Sequence, residues 1–250
     1  MRARLDAEMA RRGLAESRER AARLIMAGRV RVNSRPAAKP DLRVDETAEI
    51  LVIAAGPEYA SRGGCKLARA MDHFAIDATG RRALDIGAST GGFTDVLLRR
   101  GAAHVIALDV GYGQLADRLR RDPRVTVIDR ANIRHVDAAA LPYRPDLVTI
   151  DVSFISLKLV LPAARALAAP GATFIALVKP QFEVGRGMVG KGGVVRNEGL
   201  RAAALAEILE FARTHGFTAP GAIESPIAGA AGNREYLACM EIAGLRGFTA

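Results

Sequence analysis

The sequence predicts an α/β protein in which a mostly parallel, seven-stranded sheet is covered by helices and preceded by a small α+β module. Two patterns lead to this prediction. After about residue 63, short runs rich in Val, Ile and Leu alternate with segments of helical periodicity, which is typical of parallel strands buried between helices. Before that point, two short helical patterns precede two runs of period-two alternation. We therefore expect a first domain at residues 1–55, a linker at 56–62 and a second domain at 63–246.

The first domain is predicted from its caps and turns. RLDAEMARRG indicates a helix that ends at Gly13, a residue suited to a helix C-terminus. Ser17 can cap a second helix, RERAARLIMAG, which ends at Gly28. RVRVN, a turn at Asn33 and a second short strand in AEILVI then predict a hairpin.

Seven apolar runs predict the strands of the second domain, and helical segments separate most of them. A Gly-Pro step near residue 56 suits a linker, which leads into a helix that begins near Lys66. Only a short loop separates the last two runs, so we expect them to pair antiparallel at one edge of the sheet. In chain order the runs read RRALDIG, AAHVIALDV, VTVIDRAN, PDLVTIDVS, GATFIALVKP, PGAIESP and REYLACMEI.

Charge and cysteine content narrow the function classes. The 250-residue chain is half hydrophobic and has a net charge of +9, so it can bury a core and should attract polyanions such as nucleic acid or an anionic membrane. Cys65 and Cys239 lack the spacing of zinc sites or disulfide frameworks, so we expect buried structural thiols, no metal and a reducing cytoplasm. Because we find no signal peptide and no unbroken apolar span, we expect no membrane insertion.

The segment LDIGASTGGFTDV joins the first predicted strand of the second domain to the next helix, which is a usual ligand position in a Rossmann-like fold. A dinucleotide site requires G-x-G-x-x-G here, but Ser89 replaces the middle glycine and Asp85 would repel a phosphate. S-adenosylmethionine has a positive sulfonium and a positive amino group but no phosphate, so a carboxylate at this strand end favours it. Together with the polar residues after the next two strands, the segment predicts a class I S-adenosylmethionine-dependent methyltransferase fold.

Polar residues after the next two strands fit the rest of this cofactor. Asp109 ends the second strand and is placed for the two ribose hydroxyls, while Asp129 and Asn132 follow the third strand near the expected adenine edge. Taken one at a time, such residues are also common as helix caps or in tight turns. The candidate cofactor contacts are Asp85, Gly87, Ser89, Thr90, Gly91, Gly92, Phe93, Asp109 and Asn132.

Two charged residues end strands that are otherwise apolar. Asp151 ends LVTID and Lys179 ends FIALVK. A lysine in such a place is costly unless it is paired or used in chemistry, so the pattern indicates either a structural ion pair or a catalytic one. Lys66 and Glu235 fit a second pair of the same kind. After Asp151 the chain has neither the Pro-Pro-aromatic sequence of amino-group methyltransferases nor a cysteine nucleophile.

Several segments carry a family resemblance. RLD....RRGLAESRERAARLIMAGRVRVN resembles the RNA-binding domain of the ribosomal protein S4 type. The four residues of the two pairs fall in the order and contexts of the K-D-K-E tetrad of the RrmJ/FtsJ-type ribose 2′-O-methyltransferases. Together with SRGG.KL, VKPQFEVG.G.VGKGGVV and GN.EY, these segments make nearly the whole chain similar to the TlyA family.

This resemblance implies methyl transfer from S-adenosylmethionine to the 2′-hydroxyl of a cytidine in ribosomal RNA. Lys179 is then the candidate general base, with Asp151 orienting it and Glu235 positioning Lys66 or the ribose. Burial and the second cation, Lys66, would favour the neutral amine that a base requires, whereas Asp151 would favour the ammonium. The alternative, in which a charged Lys179 stabilises the developing alkoxide, stays open at this stage. The catalytic candidates are therefore Lys66, Asp151, Lys179 and Glu235.

The charge distribution fits an RNA partner. Eight arginines and two acidic residues fall between Arg11 and Arg35, although a charged helix can also be merely solvated. A glycine-rich basic segment at 185–196 follows Lys179 and could close over a cytidine splayed out of its stack, against Phe154 or Phe182. The candidate RNA contacts are Arg4, Arg18, Arg20, Arg23, Arg29, Arg31, Arg186, Lys191 and Arg196.

Two other functions remain as alternatives. One is a non-catalytic, rRNA-binding assembly factor for ribosomal subunits, and the other is a haemolysin, a name that this family has sometimes carried. The short lead and short tail of the chain favour modification of large-subunit rRNA alone, whereas some members of the family modify both subunits. The oligomeric state has no signal in the sequence.

Overall fold

The computed structural model describes residues 2–26, 28–37, 39–53, 59–185, 187–190, 192–229 and 232–243 of the 250-residue chain. The chain divides into two compact units, Met1–Glu58 and Tyr59–Ala250. Within the expected linker at 56–62, residues 56–58 lie outside the described residues. The remaining linker positions precede a helix that begins at Gly64, close to the expected position near Lys66.

The described part of the first unit consists of two helices and two small antiparallel sheets. Its elements are, in chain order, β1 (Arg2–Arg4), α1 (Leu5–Arg11), α2 (Arg18–Met26), β2 (Val30–Val32), β3 (Arg35–Pro36), β4 (Arg43–Asp45) and β5 (Ile50–Val52). β1 pairs with β4, and β2 pairs with both β3 and β5. Apolar side chains from both helices and from β2 and β4 form the core of this unit.

The caps of the first unit are confirmed and the hairpin is corrected. Gly13 and Gly28 have φ angles of 69° and 71° at the ends of α1 and α2. Ser17 Oγ accepts a hydrogen bond from the Arg20 N–H at 3.1 Å, as expected of a cap. β2 and β5 do pair, but β3 and β4 lie between them in the chain, so they are not joined by a single turn at Asn33. β1, β3 and β4 escape the sequence analysis because strands of two or three residues are too short to show a period.

The second unit is built on the expected seven-stranded sheet. Its strands are β6 (Arg82–Ile86), β7 (His104–Leu108), β8 (Val125–Ile128), β9 (Leu147–Ile150), β10 (Thr173–Val178), β11 (Phe217–Glu224) and β12 (Tyr236–Ile242). They lie side by side in the order β11-β12-β10-β9-β6-β7-β8. Strands β6 to β10 pair in parallel, whereas β12 pairs antiparallel with both β10 and β11. The antiparallel edge expected for the last two strands is therefore confirmed.

Helices cover both faces of this sheet. They are α3 (Gly64–His73), α4 (Gly92–Arg99), α5 (Asp117–Arg120), α6 (Leu157–Leu167), α7 (Pro180–Glu183) and α8 (Glu198–Thr214). Residues of α6 and α8 pack in the core of one face, and residues of α3, α4 and α5 pack in the core of the other. Along β10, Phe174 joins the first core and Ile175 the second, because successive side chains of a strand point to opposite faces. Cys239 is buried as expected, but Cys65 is exposed, so the expectation of a buried thiol is wrong for Cys65.

The sheet order locates the place where a ligand can bind. The order in which successive strands are added to the sheet reverses at β6. β7 and β8 extend the sheet on one side of β6, and β9 and β10 extend it on the other. Five parallel strands end at the same edge, and the connections there diverge between β6 and β9, which leaves a crevice. Among the described residues, no helix is both long enough and apolar enough to cross a membrane.

Candidate active site

Two adjoining cavities open at the carboxyl ends of the parallel strands. The larger, of about 580 Å³, is lined by Lys66 and Lys179 and is called the lysine cavity here. The smaller, of about 450 Å³, is lined by Asp109 and Asn132 and is called the aspartate cavity. A group bound in one cavity can meet a group bound in the other, because both are lined by the same five residues: Gly87, Ser89, Asp151, Ser153 and Phe154.

The turn between β6 and α4 requires glycine at two positions. Gly87 has a φ angle of 82°, and a Cβ on it would lie 2.4 Å from the main-chain oxygen of Asp151. Gly91 has a φ angle of 93°, and a Cβ on it would lie 2.3 Å from Leu119 Cδ1. Both distances are too short for packed atoms, so the turn depends on the absence of side chains. The main chain of Gly87 forms part of the wall that the two cavities share, which consists of the five residues named above. Gly91 instead packs against α5 and lines neither cavity. The other predicted residues of the turn that line the lysine cavity are Ser89, Thr90, Gly92 and Phe93.

The aspartate cavity holds two of the predicted cofactor residues. Asp109 accepts hydrogen bonds from the main-chain N–H groups of Ser89 at 2.8 Å and Gly111 at 2.7 Å, which fix its carboxylate at the cavity wall. Asn132 lies on the same wall, and its side-chain oxygen accepts from the Arg134 N–H at 3.1 Å. The structure thus brings Asp109 and Asn132 together, although they follow different strands.

Besides Gly91, two residues expected near the cofactor, Asp85 and Asp129, line neither cavity. Asp85 is fully buried, and its two carboxylate oxygens accept hydrogen bonds from Thr94 Oγ1 at 2.7 Å and Thr149 Oγ1 at 2.8 Å. Burial raises the pKa of Asp85 to about 6. The expectation of direct contact with a cationic ligand is therefore corrected: Asp85 instead ties β6 to α4 and β9 beneath the glycine turn. Asp129 pairs with Arg120 at 3.0 Å and lines neither cavity.

The lysine cavity contains both of the ion pairs expected from the sequence. Lys66 Nζ lies 2.6 Å from Glu235 Oε2. Lys179 Nζ lies 2.6 Å from Asp151 Oδ1 and donates a hydrogen bond to Ser153 Oγ at 2.9 Å. All five residues line the cavity or its shared wall, so the two pairs face one common space.

The sheet explains why residues so distant in sequence meet. Asp151 follows β9, Lys179 follows β10 and Glu235 precedes β12, and these three strands are neighbours. The antiparallel direction of β12 brings its beginning to the edge where the parallel strands end, and α3 supplies Lys66 from one face. The pairs differ in exposure: the side chains of Lys66 and Glu235 are 9% and 3% exposed, whereas that of Asp151 is 25% exposed. The Lys179–Asp151 pair is thus the one more open to a ligand.

Two aromatic residues flank the shared wall. Phe154 is 91% exposed and has a φ angle of 64°, a strained conformation for a residue with a side chain. Its ring centroid lies 5.2 Å from that of Phe182, which also lines the lysine cavity. Such strain persists where surrounding structure holds it in place, which is common at binding sites.

Sequence analysis missed several polar residues of this region, among them Ser153, Asn233 and Glu183. Ser153 holds Lys179, and Asn233 lines the lysine cavity with a buried amide. Glu183 accepts hydrogen bonds from Ser156 Oγ at 2.6 Å and from the Leu157 N–H at 3.0 Å, and burial raises the pKa of Glu183. Ser153 and Asn233 stand in DVSF and GN.EY, beside tetrad residues, so their position could have marked them. Glu183 stands in the quoted segment VKPQFEVG, but its role was not predictable, since its partners Ser156 and Leu157 lie on a distant segment.

The predicted RNA contacts are spread over both units. Arg18, Arg20 and Arg23 are exposed on α2, opposite its buried residues. Arg4 lies 2.8 Å from Asp6, which holds the pKa of Asp6 below its usual range and occupies part of the Arg4 guanidinium. Arg31 and Arg196 are exposed and Arg29 is half-buried, whereas Arg186 and Lys191 lie outside the described residues. No group of three or more His, Cys, Asp or Glu residues that could hold a metal ion occurs in the described part of the chain.

Comparison with known proteins gives a consistent result. The family model of FtsJ-like methyltransferases matches residues 59–242, and that of the S4 domain matches residues 3–50. The chain is 52% identical over 236 residues to the 16S/23S rRNA (cytidine-2′-O)-methyltransferase TlyA of Mycobacterium tuberculosis, a match that covers 94% of this chain and 88% of the relative. It is 40% identical over 236 residues to Hemolysin A of Brachyspira hyodysenteriae, covering 94% of this chain and 98% of the relative.

Solved structures agree with the sequence matches. A protein of Streptococcus thermophilus that bears the name hemolysin superposes with a TM-score of 0.75 and 41% identity, covering 96% of this chain and 88% of that one. The resemblance expected from the sequence is thereby confirmed at the level of sequence and of fold. The chain belongs to the FtsJ-like methyltransferase family, in its TlyA branch, with an S4 domain ahead of the methyltransferase domain.

Proposed function

We propose that this protein transfers a methyl group from S-adenosylmethionine to the ribose 2′-hydroxyl of a cytidine in ribosomal RNA. The observation that carries the proposal is the pair of cavities with a common wall. One is lined by residues suited to a nucleoside, and the other by two lysine–carboxylate pairs at the strand ends. Membership of the FtsJ-like family and the name of the Mycobacterium tuberculosis relative support the same reaction.

The aspartate cavity fits the methyl donor. Asp109 offers carboxylate oxygens to a ribose, and Asn132 offers an amide on the same wall to an adenine edge. The main chain of Gly87 gives close access where any side chain would collide with Asp151. When bound, S-adenosylmethionine supplies an electrophilic methyl group, and the shared wall is the place where that methyl would face the lysine cavity.

Lys179 is the residue we assign to the acceptor hydroxyl. An ammonium has three N–H donors, and the contacts to Asp151 and Ser153 account for two, which leaves one for a group in the lysine cavity. Asp151 and Ser153 fix the position of Nζ, so the hydroxyl meets an oriented group rather than a mobile side chain. A neutral Lys179 takes the hydroxyl proton as the new C–O bond forms. In the alternative, the ammonium donates its third N–H to the developing negative oxygen, and the hydroxyl proton passes to solvent.

The Lys66–Glu235 pair completes the wall of the lysine cavity. Both residues are nearly inaccessible, so we assign them the task of shaping and charging the site rather than of exchanging protons with solvent. The second cation also suits a substrate whose phosphates are negative. The exposed ring of Phe154 is placed for a base splayed out of its stack.

The S4 domain supplies the RNA affinity in this proposal. Its exposed arginines on α2 are suited to phosphate contacts, which hold and orient an RNA without reading its sequence. A ribosomal RNA substrate supports the proposal that the protein acts in the cytoplasm, where ribosomal subunits are assembled. The expectation of large-subunit modification alone stays a prediction, and the relative named for both 16S and 23S rRNA makes a test of each subunit necessary.

The experiment uses tritiated S-adenosylmethionine and separated ribosomal subunits from cells that lack this enzyme. We expect label in 2′-O-methylcytidine after digestion of the rRNA to nucleosides. Lys179→Ala should lower the rate at least about 100-fold while retaining RNA binding. Lys158→Ala is the matched control, because Lys158 also pairs with a carboxylate, that of Glu207, but lies outside both cavities.

Several results would contradict the proposal or a part of it. Label in another nucleoside would refute the cytidine assignment, and full turnover by the Lys179→Ala variant would refute the role of Lys179. A wild-type protein that binds subunits without transferring label would instead support the non-catalytic assembly factor. Lysis of erythrocytes by the purified protein, with no transfer to rRNA, would support the haemolysin.

A further inference from the structure

The amide of Asn233 is buried and bound at both ends. The residue is 2% exposed. Its Oδ1 accepts a hydrogen bond from the Val195 N–H at 2.9 Å, and its Nδ2 donates to the Gly193 main-chain oxygen at 2.8 Å. Both partners belong to one segment, residues 192–196, which we call the glycine segment. A single side chain therefore holds this segment by two hydrogen bonds.

The glycine segment has few other means of attachment. Gly192 and Gly193 have φ angles of 78° and 76° and no side chains to pack. Of its five residues, Val195 is the one that is apolar and buried, and an isolated bridge joins Val194 to Gly190. The Arg201 guanidinium donates to the main-chain oxygens of Val195 at 3.2 Å and Arg196 at 2.7 Å. A backbone with so little packing is held mainly by its polar contacts. Arg201 holds the end of the segment at Val195 and Arg196, and the Asn233 amide is the side chain that holds Gly193, which lines the cavity.

Asn233 also connects the glycine segment to the tetrad. Gly193 and Asn233 line the same cavity as both lysine pairs. The Gly229 N–H donates to the Asn233 main-chain oxygen at 2.8 Å, and a Cβ on Gly229 would lie 2.2 Å from Glu235 Oε1. The turn that carries Glu235 and the segment that walls the cavity are thus joined through one residue.

We propose that Asn233 is a positioning residue that holds the glycine segment as the RNA-facing wall of the lysine cavity. This inference rests on the proposed function for the identity of the substrate. Asn233 does not line the aspartate cavity, so its loss should impair use of RNA and leave the binding of S-adenosylmethionine unchanged. Loss of both hydrogen bonds should free the wall and lower kcat/KM for RNA about tenfold.

The test compares Asn233→Ala with Asn197→Ala. Asn197 is the matched control because its Oδ1 also accepts from a main-chain N–H, that of Leu200, but it caps α8 outside the cavity. Asn233→Ala should speed hydrogen exchange across residues 192–196 and lower kcat/KM for rRNA, with the Kd for S-adenosylmethionine within about twofold of wild type. Asn197→Ala should change exchange only at the start of α8. Asn233→Asp, which keeps the acceptor but loses the donor, should fall between the two and replaces Asn233→Ala if that variant does not fold.

The outcomes separate this inference from the proposed function. Unchanged exchange in Asn233→Ala, or a loss of S-adenosylmethionine affinity equal to the loss in kcat/KM, would overturn the positioning role. Faster exchange confined to 192–196 supports it even if the wild-type protein proves inactive on rRNA, because exchange does not depend on turnover. Inactivity of the wild-type protein contradicts the proposed function alone.

Discussion

Replacement of Glu235 by glutamine tests how much the sealed Lys66–Glu235 pair stabilises the methyltransferase unit. The two charged groups lie 2.6 Å apart, and the residues are only 7% and 2% exposed. Glutamine keeps the size of the side chain but removes its charge, which leaves the Lys66 ammonium buried without its counter-charge. Breaking such a pair costs about 3–5 kcal/mol. For a unit of this size the unfolding temperature should fall by roughly 6–20 °C.

The free energy of unfolding is measured by urea unfolding of the full chain, which is monitored through a signal that comes from the methyltransferase unit. Glu224→Gln is the matched control, because Glu224 pairs with Arg234 at 3.2 Å while both side chains are about half exposed. An exposed pair contributes about 0–1 kcal/mol, so this variant should remain close to wild type. The difference between the two variants measures the effect of burial on the same type of change.

A double variant separates stability from chemistry. Lys66→Met with Glu235→Leu removes both charges and fills the space with apolar atoms, which is commonly neutral or stabilising for a buried pair. We expect this variant to regain most of the free energy of unfolding and to remain inactive on rRNA. Full turnover by the double variant, or a Glu235→Gln variant as stable as Glu224→Gln, would refute the reasoning.

Three further predictions concern pH, the glycine turn and RNA affinity. Burial raises the pKa of Asp85 to about 6, above its value in the unfolded chain, so the folded state holds this proton more tightly. As the pH rises from about 4 through 6, wild type should lose on the order of 3 kcal/mol of unfolding free energy relative to Asp85→Asn. Parallel pH profiles of the two proteins would contradict this. Gly87→Ala should weaken S-adenosylmethionine binding at least about tenfold, as measured by calorimetry. Gly113→Ala, at a φ angle of 67° with nothing within 4 Å of the added Cβ, should leave the Kd nearly unchanged. Equal effects of the two variants would show that backbone strain, and not the collision of a Cβ with Asp151, weakens binding. Replacing both Arg18 and Arg20 with alanine should weaken RNA binding and reduce the slope of log K against log salt concentration by the equivalent of about two phosphate contacts. Filter binding across a salt series checks this. An unchanged slope would show that the two arginines do not contact RNA.

The sheet could be predicted from sequence because its signals are local. Each strand of the second unit overlaps an apolar run between turn residues. Six lie within the predicted runs, whereas β11 begins at Phe217, three residues before the run PGAIESP. Gly13 and Gly28 mark positive φ angles at the ends of helices, where neighbouring residues alone favour glycine. The short strands β1, β3 and β4 were not predictable, because two or three residues hold no period and form only when a partner strand is present.

The tetrad was found from motif order, and its geometry was not. That Lys66 would meet Glu235, 169 residues later, depends on β12 running antiparallel beside β10. The motif also gave no measure of burial. In the structure, burial distinguishes the sealed Lys66–Glu235 pair from the Lys179–Asp151 pair, which is more open to the cavity.

Asp85 shows most clearly what the chain alone determined and what required the fold. The sequence determined that a carboxylate would stand at the end of the first parallel strand, beside a glycine turn, since both follow from neighbouring residues. Only the tertiary structure decided that this carboxylate would face Thr94 and Thr149 instead of a ligand, because the direction of a buried side chain depends on what packs around it. For the same reason Asp109, Asn132 and Asn233 acquire their surroundings only when strands and loops far apart in the chain are brought to one edge of the sheet.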